Sequence, residues 1–171
     1  MKLKVLFLTL VIAFIAVGCG SKSWQTLDDT AFKAEMPGAA TKSNQTVTTA
    51  AGPITVNLWT LDQKTEGYIV GYSEYPEAVF SARDSKQLLD SARDGAIANV
   101  KGKVTAEKDI TQGSFSGREI TGSAPDQDVA FTARVFLAKP RMYMLVYSQR
   151  GKDKAISEDG KKFLDSFQIK K

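Results

Sequence analysis

Apolar and polar residues alternate with a period of two over most of the chain beyond residue 40. In the clearest segment, Ile54, Val56 and Leu58 alternate with Thr, Asn and Trp, between an Ala-Gly-Pro turn and a polar stretch. A period of two places successive side chains on opposite faces of a β-strand. The pattern predicts strands at 54–59, 68–75, 104–110, 115–122, 130–138 and 141–148, an edge strand at 41–49 and a short last strand at 167–169.

The segment at 141–148 differs from the others because both of its alternating faces are apolar from Met142 to Tyr147. A strand of this kind is buried on both sides, so we expect it in the middle of a sheet with a covering layer on each face. Lys139 and Pro140 separate it from the preceding strand, which predicts a tight antiparallel hairpin.

Two further segments have the spacing of amphipathic helices. Between residues 84 and 100, six apolar side chains fall on one helical face, and Asp84 or Ser85 can cap the start. A shorter helix is predicted at 157–166. The order of strands and helices favours an α+β fold in which helices cover an antiparallel β-sheet, rather than a doubly wound parallel sheet.

The N-terminus has the pattern of an export signal. Lys2 and Lys4 precede an apolar run at 5–17, which ends in small residues and the only cysteine, Cys19. The run is too short to span a bilayer as a mature helix. Small residues directly before a cysteine resemble the lipobox of bacterial lipoproteins. Two other interpretations stay open, a buried free cysteine and an uncleaved helix that anchors the protein.

The lipobox resemblance implies a lipoprotein signal peptide at 1–18 and a lipidated tether at 19–23, with the lipid on Cys19. In lipoproteins of that kind, acyl chains hold an exported protein on a bacterial membrane. The domain then faces the periplasm or the exterior. Gly20 is not Asp, the residue that favours retention in the inner membrane, so the outer membrane is preferred if the bacterium is Gram-negative.

The composition is that of a globular protein and excludes several classes of function. The chain has 171 residues, of which 43% are hydrophobic and 25% charged, and its net charge of +4 falls to +2 without Lys2 and Lys4. Beyond the leader no run of Lys and Arg exceeds two, so we expect no nucleic-acid partner. Because there is no histidine, Ser-His-Asp and Cys-His sites and the usual zinc sites cannot form.

Two pairs of carboxylates are the remaining candidates for chemistry. Asp126 and Asp128 lie at alternate positions in a loop and could contribute to a calcium or manganese site, although Asp is also favoured in ordinary turns. Glu74 and Glu119 could act as an acid and base pair if the fold brought them together. We assign no catalytic, cofactor-binding or metal-binding residue from these patterns.

Charged and aromatic residues on the predicted strands admit both structural and binding roles. Arg118 and Glu119 are adjacent and should point to opposite faces, and Arg134 is a candidate ion-pair partner for Glu119 across the sheet. Such a pair can be structural or can recognise a ligand. A set of aromatic side chains could line a groove or pack within the sheet: Tyr68, Tyr72, Tyr75 and Phe80.

Six segments taken together carry a family resemblance: Trp24–Leu27, Phe32–Gly38, Gly71–Pro76, LLDSARDGAIANVKGKV at 88–104, GREI at 117–120 and KFLDSFQIK at 162–170. They resemble the bacterial lipoprotein and periplasmic relatives of PsbP, the extrinsic photosystem II protein. The resemblance implies one PsbP-like domain at 24–171, built as a three-layer α/β/α sandwich. Members of this family serve as binding or assembly factors without a shared active site.

The expected function is therefore a membrane-anchored, non-enzymatic binding or assembly module of the bacterial envelope, with no cofactor. Its partner would be an unidentified envelope protein or a small ligand. Two alternatives remain. One is an enzyme that uses carboxylates, alone or with a metal, and the other is a purely structural envelope lipoprotein.

Overall fold

The computed structural model describes residues 23–49, 52–151 and 154–170. These residues form ten β-strands and three α-helices. The strands are β1 Gln25–Asp28, β2 Phe32–Met36, β3 Thr41–Thr49, β4 Gly52–Asp62, β5 Glu66–Glu74, β6 Lys103–Gln112, β7 Phe115–Ala124, β8 Val129–Ala138, β9 Arg141–Arg150 and β10 Gln168–Ile169. The helices are α1 Glu77–Ala82, α2 Ser85–Asn99 and α3 Glu158–Asp165.

Seven strands form one antiparallel sheet in the order β3-β4-β5-β9-β8-β7-β6. The strand predicted to be central, β9, is the fourth of the seven. Tyr147 on β9 lies opposite Tyr68 on β5 and Thr132 on β8, which fixes the register of the middle of the sheet. Ala138 pairs with Arg141 across the Lys139–Pro140 turn, so the predicted hairpin is confirmed.

The large sheet is covered on both faces. Helices α1 and α2 pack on one face, and α3 packs on the other beside a three-stranded antiparallel sheet in the order β1-β2-β10. The predicted α+β class and the arrangement of covering layers on both faces of an antiparallel sheet are confirmed, with a small sheet added to one covering layer. The sequence prediction missed three elements, β1, β2 and α1.

We call the face toward α3 the aromatic face. It carries Trp59, Tyr68, Tyr72, Phe136, Tyr143 and Tyr147, which pack with Phe163 and Phe167 from the covering layer. Strand β2 closes this core, because Phe32, Ala34 and Met36 are fully buried while Lys33 between them is exposed. The main hydrophobic core therefore lies between the aromatic face and α3.

Helix α2 begins at a capping box, in which Asp84 is the N-cap. The Asp84 carboxylate accepts a hydrogen bond from the Gln87 backbone N–H at 2.8 Å, and the Gln87 side-chain oxygen accepts one from the Asp84 N–H at 3.2 Å. Leu88 and Leu89 are then buried against Val135 of β8, in a second and smaller core. Of the two predicted caps, Asp84 is the one used.

All residues of the two buried cores lie between Ala31 and Phe167. Every strand and helix given above lies after residue 24. Residues 23–171 therefore contain all the packing that the structure describes, and we expect a chain of these residues to fold by itself. No helix among the described residues is both long enough and apolar enough to cross a bilayer.

Candidate functional site

A cleft of about 300 Å³ opens between the C-terminal half of α2 and the sheet face on which this helix lies. We call this side of the sheet the cleft face. Ile97 and Val100 of α2 form one wall, and Ile69, Ala133, Met144 and Val146 from β5, β8 and β9 form the floor. These side chains are all half-buried, so the cleft is an open apolar surface rather than a closed cavity.

The cleft exists because small residues meet where α2 crosses the sheet. The first half of α2 carries leucines and packs closely, whereas the second half carries Gly95, Ala96 and Ala98. Ala96 lines the cleft from the helix and Ala133 lines it from the sheet. Two short side chains cannot fill the gap between helix and sheet that Leu88 and Leu89 fill in the first half of α2, so the space stays open.

Polar groups lie at the margin of the cleft and are Arg93, Gln127 and Ser148. Among the described residues that line it, Arg93 alone carries a charge. Its guanidinium contacts both carboxylate oxygens of Glu107 at 2.9 Å and donates to Asp94 at 2.8 Å. These bonds raise the pKa of Arg93, so it stays charged and paired. The cleft therefore presents no unpaired charge of its own lining.

Arg118 fastens α2 to the sheet beside the cleft. Its side chain is only 5% exposed and is surrounded by Asp90 of α2 and by Glu107 and Asp109 of β6. Burial alone would lower the pKa of Arg118, but the hydrogen bond that it donates to Asp90 and the nearby carboxylates raise it instead. In return, hydrogen bonds from Arg118 and Lys86 lower the pKa of Asp90 to about 2. The sequence indicated a buried charge in this segment but did not identify these partners.

The predicted pair of Glu119 and Arg134 is confirmed, at 2.6 Å on the aromatic face. Arg134 also donates to the Leu164 carbonyl at 2.9 Å and contacts Asp165 at 2.8 Å, while Lys108 contacts Glu119 at 2.8 Å. Burial would raise the pKa of Glu119, but the two cations outweigh burial and lower it. Both oxygens of Glu119 are thus engaged, and the pair ties β7 and β8 to α3. The geometry favours the structural role.

Glu74 and Glu119 do not form a pair. Three strand spacings, from β5 through β9 and β8 to β7, separate them. At about 4.8 Å per strand this is roughly 14 Å, beyond the range of about 9.5 Å that glycosidases use. Glu74 is instead 2.8 Å from Arg141. The possibility of an acid and base pair at these two residues was wrong.

Asp126 and Asp128 lie in an exposed connection between β7 and β8. Asp126 is part of a single 3₁₀ turn, and Asp128 ends it in the left-handed conformation at φ 51°. Within the residues that the structure describes, no group of three or more Asp, Glu, Cys or His side chains could hold a metal ion. The arrangement is that of an ordinary turn, in which Asp is favoured without a metal.

Of the two roles left open for the aromatic set, a groove and packing within the sheet, packing is the one confirmed, and its members divide between the two faces. Tyr68 is fully buried against Tyr147, at 5.4 Å between ring centroids, and Tyr72 packs with Trp59. Tyr75 instead contacts Phe80 of α1 at 6.1 Å in the smaller core. These rings are sheet packing. Cys19, the predicted lipidation site, lies outside the described residues.

The site that sequence reasoning missed is the cleft. Its signal is the change along α2 from Leu88 and Leu89 to small residues at 95, 96 and 98. This change shows that the second half of the helix buries little. It does not show which part of the sheet lies opposite.

The antiparallel seven-stranded sheet, its covering helices and the added small sheet define a PsbP-like α+β fold. The solution structure of cyanobacterial PsbP, CyanoP, from Synechocystis sp. PCC 6803 is similar, with a TM-score of 0.55 and 12% sequence identity. The likeness covers 90% of this chain and 96% of that one. At this identity the comparison establishes the fold alone.

A crystal structure of a protein of unknown function from Pseudomonas aeruginosa, PA94, aligns less well. Its TM-score is 0.39 at 11% identity, over 66% of this chain and 84% of that chain. No protein-family model matches the sequence, and no curated protein sequence matches it.

Proposed function

We propose that this protein is a non-enzymatic binding or assembly module, held on the membrane of a bacterial envelope by a lipid on Cys19. The observation that carries the binding role is the cleft on the PsbP-like scaffold. Concave sites that are lined mostly by apolar side chains, with a few polar groups among them, are typical of small-ligand sites.

The chemistry of the cleft supports binding rather than catalysis. Acid and base catalysis needs a titratable group that can reach the ligand and change protonation. In the described lining, Arg93 is the one ionisable side chain, and its pKa is raised by Asp94 and Glu107. It holds its proton and its partners, so it neither accepts nor delivers protons at neutral pH.

The lipid anchor is supported by the sequence of the leader. Cys19 follows a cationic start, an apolar run and small residues, the order that export and lipidation require. The described structure begins at Ser23, four residues later. At about 3.5 Å per residue the tether spans roughly 15 Å at most, so the domain would lie close to the membrane surface.

Intact mass of the protein from detergent extracts tests the anchor. We expect the wild-type chain to begin at Cys19 and to carry added acyl mass, and the Cys19→Ala variant to lack that mass. Ser21→Ala is the matched control and keeps the lipid, because it changes the tether but not the cysteine. A wild-type chain that retains residues 1–18, or that carries no lipid, would overturn the proposal.

Co-purification from envelope fractions tests the binding role. Ala96 lines the cleft and Ala98 does not, although both lie on the same turn of α2. We expect Ala96→Phe to lose a partner or small ligand that both the wild type and Ala98→Phe retain. If the same molecules accompany all three chains, or none does, the cleft is not the binding site.

A further inference from the structure

We propose that the cleft binds a single unbranched hydrocarbon chain whose head group is uncharged, as in a monoacylglycerol. This inference rests on the binding role proposed above and names its ligand class. It is independent of the anchor on Cys19. Three properties of the cleft lead to it: its dimensions, the chemistry of its lining and the charges at its margin.

The dimensions suit one chain. The cleft follows α2 from Arg93 to Val100, which at about 1.5 Å per residue is a length of roughly 10 Å. Its volume of about 300 Å³ is at the lower limit of ligand pockets. At roughly 30 Å³ for a group the size of a water molecule, it holds about ten such groups. A chain of about ten carbons would fill it, and two chains would not fit.

The lining suits saturated hydrocarbon. Most of its lining is aliphatic, from Ile97 and Val100 on the helix to Ile69 and Val146 on the sheet, and Phe131 is the one aromatic side chain among the described lining residues. Met144 adds a flexible thioether that adapts to irregular contacts. The polar groups Gln127 and Ser148 are at the margin. A ligand with polar atoms along its length would lose its hydrogen bonds to water and find no replacement in the cleft. An alkyl chain makes no such hydrogen bonds and has none to lose.

The charges at the margin disfavour an anionic head group. Arg93 is the one cation of the lining, and Asp94 and Glu107 already occupy it. The described ion-pair network around it contains four carboxylates and three cations. A carboxylate or phosphate brought here would have to displace an existing partner of Arg93 and would lie beside a described network that has one more carboxylate than cations. An uncharged head group meets neither cost.

Calorimetric titration of residues 23–171 with monoacylglycerols tests the ligand class, each used below its critical micelle concentration. With chains of six to ten carbons, we expect the dissociation constant to fall about fourfold per added methylene. Beyond about ten carbons the dissociation constant should change little, because further methylenes extend out of the cleft into water. The absence of saturable binding, or an affinity independent of chain length, would overturn the proposal.

Decanoate and monodecanoylglycerol test the head group, since they share one chain length and differ in charge. We expect monodecanoylglycerol to bind more tightly. Tighter binding of decanoate would contradict the proposal, because it would mean that Arg93 is available to an anion.

Ala96→Phe and Ala98→Phe locate the site. Both variants carry the same change in helix propensity, and equal thermal unfolding confirms that both are folded. We expect Ala96→Phe to weaken binding of monodecanoylglycerol at least tenfold and Ala98→Phe to leave it unchanged. Equal affinities in the two variants would place any binding outside the cleft and overturn the proposal. Because this chain lacks Cys19, failure here leaves the mass experiment on the anchor unaffected.

Discussion

The two faces of the seven-stranded sheet are made from the same strands and differ in how they are covered. On the aromatic face Tyr68, Tyr143 and Tyr147 are at most 1% exposed. The cleft face carries Ile69, Met144 and Val146, which are half-buried. Each of them is adjacent in the chain to one of those tyrosines. The sheet is therefore closed on one face and partly open on the other, as the proposed binding role requires.

A hydroxyl network shows how completely the aromatic face is closed. Glu66 accepts hydrogen bonds from Tyr68 at 3.0 Å, from Tyr147 at 2.8 Å and from Ser157 at 2.9 Å. Burial raises the pKa of both tyrosines, so both hydroxyls keep their protons and remain donors. Ser157 is also the N-cap of α3, and the network thus fixes this helix on the sheet. On the cleft face the described ion pairs of Arg93 and Arg118 instead join α2 to β6 and β7, toward one edge of the sheet and beside the floor of the cleft.

The largest expected difference concerns two adjacent residues of β9 that point to opposite faces. Leu145 is fully buried in the aromatic core, so Leu145→Ala should lower the free energy of unfolding by about 2–5 kcal/mol. Met144 lies in the open cleft, and Met144→Ala should cost only about 1 kcal/mol. Urea unfolding of both variants measures this. Equal losses would show that the faces are equally packed.

Two arginines that each hold a covering helix on the sheet provide the next comparison. Arg118 holds α2 on the cleft face, and Arg134 holds α3 on the aromatic face. Removing either cation takes one partner from each of its carboxylates, and those carboxylates are partly exposed, so each Arg→Met change should destabilise by about 2 kcal/mol. Only Arg118→Met should also weaken ligand binding in the cleft. A matching loss of binding in Arg134→Met would show that the covering layers of α2 and α3, on opposite faces of the sheet, are coupled.

The glycines of the two long helices should respond in opposite directions. A Cβ on Gly160 of α3 would lie 2.8 Å from the Tyr147 ring, whereas a Cβ on Gly95 of α2 would meet nothing within 4 Å. Gly160→Ala should therefore destabilise by about 1–2 kcal/mol despite the better helix propensity of Ala. Gly95→Ala should stabilise by about 0.5–1 kcal/mol. Thermal unfolding checks both signs, and stabilisation by Gly160→Ala would contradict the close approach of α3.

The smallest expected effect is on acid stability. Because the pKa of Asp90 is about 2 in the folded chain and about 4 when unfolded, its ion pairs stabilise the fold above pH 4. That contribution is lost as the pH falls from 4 to 2, where protonation favours the unfolded chain. Asp90→Asn should lose less stability than the wild type over this interval. Asp126→Asn, in an exposed turn, is the control and should follow the wild type.

Local patterns predicted the elements well, and residue pairs across the sheet less well. The apolar alternation on both faces of 141–148 placed β9 in the centre, and Asp84 was correctly among the predicted caps. Glu119 and Arg134 could be paired because both lie on predicted neighbouring strands. Strand β2 was missed although Phe32, Ala34 and Met36 have the period of a strand, because its five residues are too few to stand out from a loop.

The cleft was not predictable because it depends on the relative size of two elements. A helix of 15 residues cannot cover a seven-stranded sheet, and which floor residues stay open is decided by where α2 crosses. The crossing is set by contacts of Arg118 with three carboxylates from two other elements. For the same reason the possible pairing of Glu74 with Glu119 failed, since strand order, not spacing in the chain, sets their distance.

Methyl NMR of methionine tests the division between the faces most directly. Residues 23–171 contain three methionines, with Met36 in the aromatic core, Met142 packed beside the smaller core and Met144 in the cleft. With ¹³C-methyl labelling and monodecanoylglycerol, we predict that the Met144 signal shifts in proportion to bound ligand while the Met36 signal does not move. An unmoved Met144 signal, or equal shifts at Met36 and Met144, would contradict the account.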